Sequence, residues 1–169
     1  MKTKYKVLIG ILGAFLLLNI AWVIYYFCFI NTYAEVLGLD ETEQYACSQD
    51  GYLFYAATPD YLSFTSNLAI TQIRTGGYVE DKPEEQDEVI CDLLIWPALV
   101  GEDEYGLIIE LRQPGQKTQC YNYLMNADAE LDDPESYDEA ALQVLEENKE
   151  TADVLFQHAF RMWPELTNE

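Results

Sequence analysis

The sequence has one histidine, His158, among 169 residues. General acid–base chemistry near neutral pH is most often done by histidine, so the common hydrolytic triads have little to build on. No Gly-x-Ser-x-Gly elbow, phosphate-binding glycine loop or dinucleotide fingerprint occurs. Positive charge is also scarce: nine Lys and Arg stand against 30 Asp and Glu, a net charge of −21. A nucleic-acid partner is thereby excluded, since phosphate binding needs Lys or Arg to displace counterions. Lying flat on anionic lipid is disfavoured for the same reason.

Cysteines are few, at 28, 47, 91 and 120, and none has a second Cys or His close enough in sequence for a zinc motif. Neither a metal nor any other cofactor is expected. Cys47, Cys91 and Cys120 cannot all pair with one another. One bridge with a free thiol and three reduced thiols both remain open.

Charge is missing altogether from residues 7–30, VLIGILGAFLLLNIAWVIYYFCFI, where Asn19 is the one strongly polar side chain. As a helix this run is about 36 Å long, enough to cross a hydrocarbon core of roughly 30 Å with some tilt. Lys2, Lys4 and Lys6 precede it and every acidic residue follows it. Lysine flanking a membrane helix marks its cytoplasmic end. The chain therefore reads as a single-pass protein of the cell membrane, anchored in the lipid bilayer, N-terminus cytoplasmic and C-terminal domain outside. A cleaved signal peptide is the rival reading. Its apolar region is normally shorter, and Thr32-Tyr33-Ala34 is a weak cleavage site. Tyr25-Tyr26-Phe27 before Cys28 is too bulky for a lipoprotein signal.

Within the run, Gly10, Ala14, Ala21 and Cys28 fall on one helical stripe, with Asn19 opposite. Gly10, Ala14 and Ala21 are the candidate helix–helix contact, because small residues let a second helix approach closely. Trp22, Tyr25, Tyr26 and Tyr33 crowd the outer end, as interfacial aromatic rings do.

Four segments follow from this: a cytoplasmic head over 1–6, the membrane helix over 7–30, a juxtamembrane stalk over 31–50, and an extracytoplasmic domain over 51–169. Gly38 is a plausible helix stop. From Gly51 the apolar period becomes two. Residues 52–57 predict a strand, broken by Thr58-Pro59-Asp60. Residues 61–74 predict one long strand, or two with a turn at Ser66-Asn67, the unbroken phase of Leu62, Phe64, Leu68 and Ile70 favouring one, closed by Gly76-Gly77. The acidic stretch 79–87 predicts a loop. Residues 88–97 are apolar on both faces, which implies a central strand or one covered by a helix. Strands 105–112 and 117–125 complete a meander, joined by a type II turn at Gln113-Pro114-Gly115-Gln116.

Residues 134–163 predict a long amphipathic helix. A capping box at Ser136 and Glu139 starts it, a kink or break is possible over 148–151, and Pro164 lies just past its end. The fold class is thus α+β: an antiparallel sheet of about five strands covered by one C-terminal helix. The layout resembles that of many small bacterial surface proteins, in architecture only.

Four constellations could carry chemistry. Asp128, Glu130, Asp132 and Glu139 fall at places 1, 3, 5 and 12 of a calcium-loop frame, but place 6 is Asp133 where the frame needs glycine. The same acids complement a helix N-terminus. Asp92 is a lone acid in an apolar strand, and Asp92 and, separately, Glu110 are the acids whose substitution tests a carboxylate enzyme. His158 sits at the edge of the helix's apolar arc. Tyr105, Tyr121 and Tyr123 could form a stacking face or simply fill strands. The function expected is a membrane-anchored, non-catalytic module that binds a protein or cell-envelope component. An enzyme or enzyme accessory using carboxylates, and a small subunit of a membrane complex, are the alternatives.

Overall fold

A computed structural model describes residues 2–73, 87–98 and 101–167. The predicted acidic loop, apart from Asp87, and the Gly76-Gly77 stop lie outside the described residues. The apolar run lies in a single helix, α1 (Lys2–Phe29), with Asn19 as the run's one strongly polar side chain. That amide donates to the Phe15 carbonyl one turn back, at 2.7 Å.

The helix does not stop at its apolar end. It widens into a π-helical turn over Ile30–Ala34, where the Glu35 N–H reaches back five residues to the Ile30 carbonyl. Phe29, Ile30, Ala34 and Leu37 are buried in the domain core. Gly38, at φ +74°, then ends the helix as the sequence predicts.

Six strands follow: β1 (Tyr45–Gln49), β2 (Tyr52–Ala56), β3 (Leu68–Gln72), β4 (Glu88–Trp96), β5 (Glu104–Arg112) and β6 (Gln119–Met125). Every neighbour in sequence is a neighbour in the sheet, all antiparallel, in the order β1-β2-β3-β4-β5-β6. Short connections make this the simplest way to pair successive strands. β4 is internal, which accounts for apolar residues on both of its faces. The β5–β6 turn is as expected: Gly115 has φ +72°, and the Gln116 N–H bonds the Gln113 carbonyl.

Register assigns the faces. Phe54, Ile70, Leu93, Leu107 and Tyr123 align across β2 to β6, with Ala56, Leu68, Ile95, Tyr105 and Met125 in the adjacent row. All ten are buried. Two helices cover them, α2 (Glu139–Glu147) and α3 (Lys149–Met162). From α3 come Ala152, Leu155, Phe156 and Ala159, spaced three and four apart so that one stripe meets the sheet. Trp163, fully buried beyond the helix end, packs edge-on to Phe54 and donates its indole N–H to the Tyr33 carbonyl at 2.8 Å.

Three local expectations are corrected. The segment expected as a stalk supplies an edge strand, β1, so the sheet has six strands instead of about five. The predicted strand over 61–74 shortens to β3. The Asp60 carboxylate accepts from the Leu62 and Ser63 N–H groups and turns the chain, and Phe64 takes φ +54°. Phase through a turn had imitated a strand.

The long helix starts at Glu139, capped by Asp138, whose Oδ1 accepts from the Ala141 N–H. Ser136 instead closes a 3-10 turn over Pro134–Ser136, bonding the Asp133 carbonyl. Tyr137 between them is extended, and its hydroxyl accepts the Leu124 N–H of edge strand β6. The helix breaks in two at Asn148, within the stretch expected to kink or break. The Asn148 amide donates to the Val144 carbonyl four residues back and competes with the helical bond.

Candidate interaction surface

The helices α2 and α3 and the end of α1 all pack on one side of the sheet. Among the described residues no helix lies on the other side. That open face carries Leu53, Tyr55, Ala69, Leu94, Trp96, Ile108 and Leu124, each half-buried or exposed. Trp96 lies down across Gly106 on β5. A Cβ built there would meet the indole ring at 2.9 Å, so the ring needs this position to be glycine. The face thus holds a group of apolar side chains with an aromatic ring laid across it, and Ile90 on the same face is buried.

Polar side chains share this face: Ser48, Thr71, Glu88, Asp92, Glu104, Glu110, Arg112 and Asn122. Glu110 and Arg112 form a salt bridge along β5 at 2.8 Å. Asp92 faces Ile108 across the β4–β5 pair, one step diagonal from Glu110, which faces Ile90. The Oδ1 of Asp92 is enclosed without a hydrogen-bond partner. Asp92 and Glu110 thus share a face, but Glu110 is already engaged by Arg112.

The other sequence candidates are dispersed. Tyr105 and Tyr123 are buried on the covered face, their hydroxyls donating to the Leu166 and Ala141 carbonyls at 3.4 and 2.8 Å. They are core residues, not a stacking face. Burial pushes both phenols up to about 12. His158 stacks on Tyr52 at 4.2 Å and lies near Phe54 at 6.4 Å, packed among rings.

Asp128, Glu130, Asp132 and Glu139 do not converge. The Asn126 side chain holds this turn by accepting the Asp128 and Glu130 N–H groups. Among the described residues no three His, Cys, Asp or Glu side chains are grouped to hold a metal ion. All four cysteines are free. Cys47, Cys91 and Cys120 stand on β1, β4 and β6, at least two strand spacings apart and beyond the roughly 7 Å that a disulfide spans between Cα atoms. Burial first, and the neighbouring Asp92 charge second, push the Cys91 thiol up to about 11, which leaves it protonated and unreactive.

A second surface was not legible in the sequence. The β2–β3 connection, residues 57–67, folds back along α1. Tyr61 donates to Asn19 Oδ1 at 2.9 Å and meets Trp22 edge-on at 5.2 Å. Phe64 stacks on Tyr25 at 6.0 Å, and the Tyr25 and Ser66 hydroxyls are 2.7 Å apart. Below Asn19 the side chains of α1 that are described are all exposed, including Gly10 and Ala14, and Ala21 stays clear of the domain as well. A shallow cleft of about 140 Å³ lies beside Tyr25, Phe29 and Tyr33, against Pro97. Comparison with family models, with curated proteins and with solved structures finds no match for this chain.

Proposed function

We propose that the chain is a single-pass membrane protein whose outer domain is a non-catalytic interaction module for a protein or cell-envelope component. One observation carries the anchoring half. The apolar helix buries none of its most hydrophobic window against the protein, although it is long enough to cross a bilayer. A signal sequence passes the same test of length and composition. However, the residues at the end of this helix build the core: Phe29, Ile30, Ala34 and Leu37 are buried there, and Trp163 bonds Tyr33. Cleavage after Ala34 would remove Phe29 and Ile30 from that core. The lysine head and acidic tail support an N-terminus inside and a domain outside.

The open sheet face supports the binding half. Leu53, Tyr55, Leu94, Trp96, Ile108 and Leu124 lie there half-buried or exposed with no helix over them among the described residues, beside polar side chains that could fix a partner's orientation. Asp92 alone favours the reading as a carboxylate enzyme, since an unpartnered buried oxygen is a feature of some active sites.

Two measurements test the proposal. Carbonate-washed membranes from cells producing the full chain retain it at full length, and protease added to intact cells removes the acidic domain. A trimmed, soluble product sinks the anchor. For the binding half, photo-crosslinkers at Leu94 and Leu124 capture the same partner in intact cells, and a crosslinker at Gln116, on the β5–β6 turn, does not. Equal labelling from all three sites counts against the open face.

A further inference from the structure

From the β2–β3 loop we infer a second membrane contact: residues 60–64 enter the outer lipid interface beside α1, with Leu62 inserted among the acyl chains. The inference rests on the reading of α1 as a membrane anchor. Starting at Val7, a helix needs to reach about Tyr26 to cross roughly 30 Å of hydrocarbon. The stretch clear of the domain, Val7 to Leu18, supplies only about 18 Å. Asn19, Trp22 and Tyr25 therefore lie at or below the outer boundary of the hydrocarbon, and the loop that touches them lies there too.

The loop is built for that position. Leu62 is 87% exposed at its tip, the most exposed large apolar side chain among the described residues. Lipid is the one surrounding that rewards such exposure at this level. Many of its polar groups are bonded within the protein, which lowers the cost of leaving water. Asp60 Oδ1 takes the Leu62 and Ser63 N–H groups and the Ser63 hydroxyl. The Asp60 and Phe64 N–H groups bond the Thr65 and Asp60 carbonyls. The hydroxyls of Ser63 and Thr65 pair at 2.6 Å, Tyr61 pairs with Asn19, and Ser66 pairs with Tyr25. One charge, Asp60, stands in the whole connection from 57 to 67 of a strongly acidic domain.

The Trp22 indole N–H points the same way. It is enclosed without an acceptor. Covering it in water would forfeit a hydrogen bond to solvent, whereas within lipid there is none to forfeit.

The test places an environment-sensitive fluorescent amino acid at position 62 of the full chain in phosphatidylcholine nanodiscs. Positions 12 and 116 serve as membrane and aqueous references. The expected result at 62 is a blue-shifted emission, strong quenching by nitroxide-labelled lipid and weak quenching by iodide, close to position 12 and unlike position 116. Iodide quenching at 62 equal to that at 116, with 12 protected, overturns the loop contact and leaves the anchor standing. Protection at 62 from both quenchers overturns it too, because a protein partner then covers the tip. Iodide quenching at 12 overturns the anchor reading itself.

Discussion

The Trp163 indole donates to the Tyr33 backbone carbonyl at 2.8 Å, joining the last helix of the domain to the end of the first across 130 residues. The ring is fully buried and lies against Phe54 of β2. This contact fastens three things at once: the unwound end of α1, the sheet and the C-terminal cover.

Replacing Trp163 with Phe keeps an aromatic ring and removes the donor. The Tyr33 carbonyl then loses its partner, and the full chain in detergent loses roughly 1–3 kcal/mol in denaturant unfolding. A loss much smaller than that means water reaches the carbonyl.

Asp92 behaves in the opposite sense. Its Oδ1 has no hydrogen-bond partner where it is enclosed, so Asp92→Val relieves a desolvation cost and raises stability by about 1 kcal/mol. The denaturation midpoint rises. Paired with a binding assay on the crosslinked partner, the variant separates the two readings of the open face: an interaction module keeps its partner, whereas a carboxylate enzyme loses its activity while gaining stability.

Gly106 is held by the indole above it. In Gly106→Ala the new methyl meets the far edge of the Trp96 ring, which swings outward, since it lies on an open face. The expected cost is about 1 kcal/mol, small for a crowded site because the ring is free to yield. The Trp96 indole resonance shifts clearly while the core methyl resonances do not.

Alkaline titration separates the core from the surface. Cys91 is pushed from 9.0 up to about 11, and Tyr105 and Tyr123 from 10.0 up to about 12, burial being the first cause in each. Raised folded values mean the unfolded chain gives up these protons first as pH rises. Their contribution is complete below about pH 9 and is lost between roughly pH 9 and 12. Cys91→Val removes the lower part of that loss, so the variant holds its melting temperature further into alkali than the parent does.

Much of the sheet could be read directly because each strand stands between clear breaks. Residues 88–97 are apolar on both faces, and 105–112 and 117–125 flank a Pro-Gly turn, so β4, β5 and β6 were visible. β1 was not. Tyr45–Gln49, YACSQ, is short and mixed, and it pairs only at an edge, where packing asks little of it. The helix start was misplaced because Ser136 and Glu139 fit a capping box, whereas Asp138 caps alone, with Ala141 where such a box has its glutamate. The choice between them was made by Tyr137, whose hydroxyl takes up a free N–H on β6.

The loop from 57 to 67 was misread for a deeper reason. Its residues answer to α1, not to the strands beside them, and periodicity within a segment carries no trace of a partner some 40 residues away. The tyrosines misled similarly: abundance gives no sign of which face they take until register puts Tyr105 and Tyr123 under α2 and α3.

The π-helical turn at Ile30–Ala34 has a mechanical consequence. A helix that enters a folded core without a flexible joint acts as an axle: a rotation applied to its far end is delivered to the sheet as a rotation, with no slack to absorb it. The orientation of the open face then follows the orientation of α1.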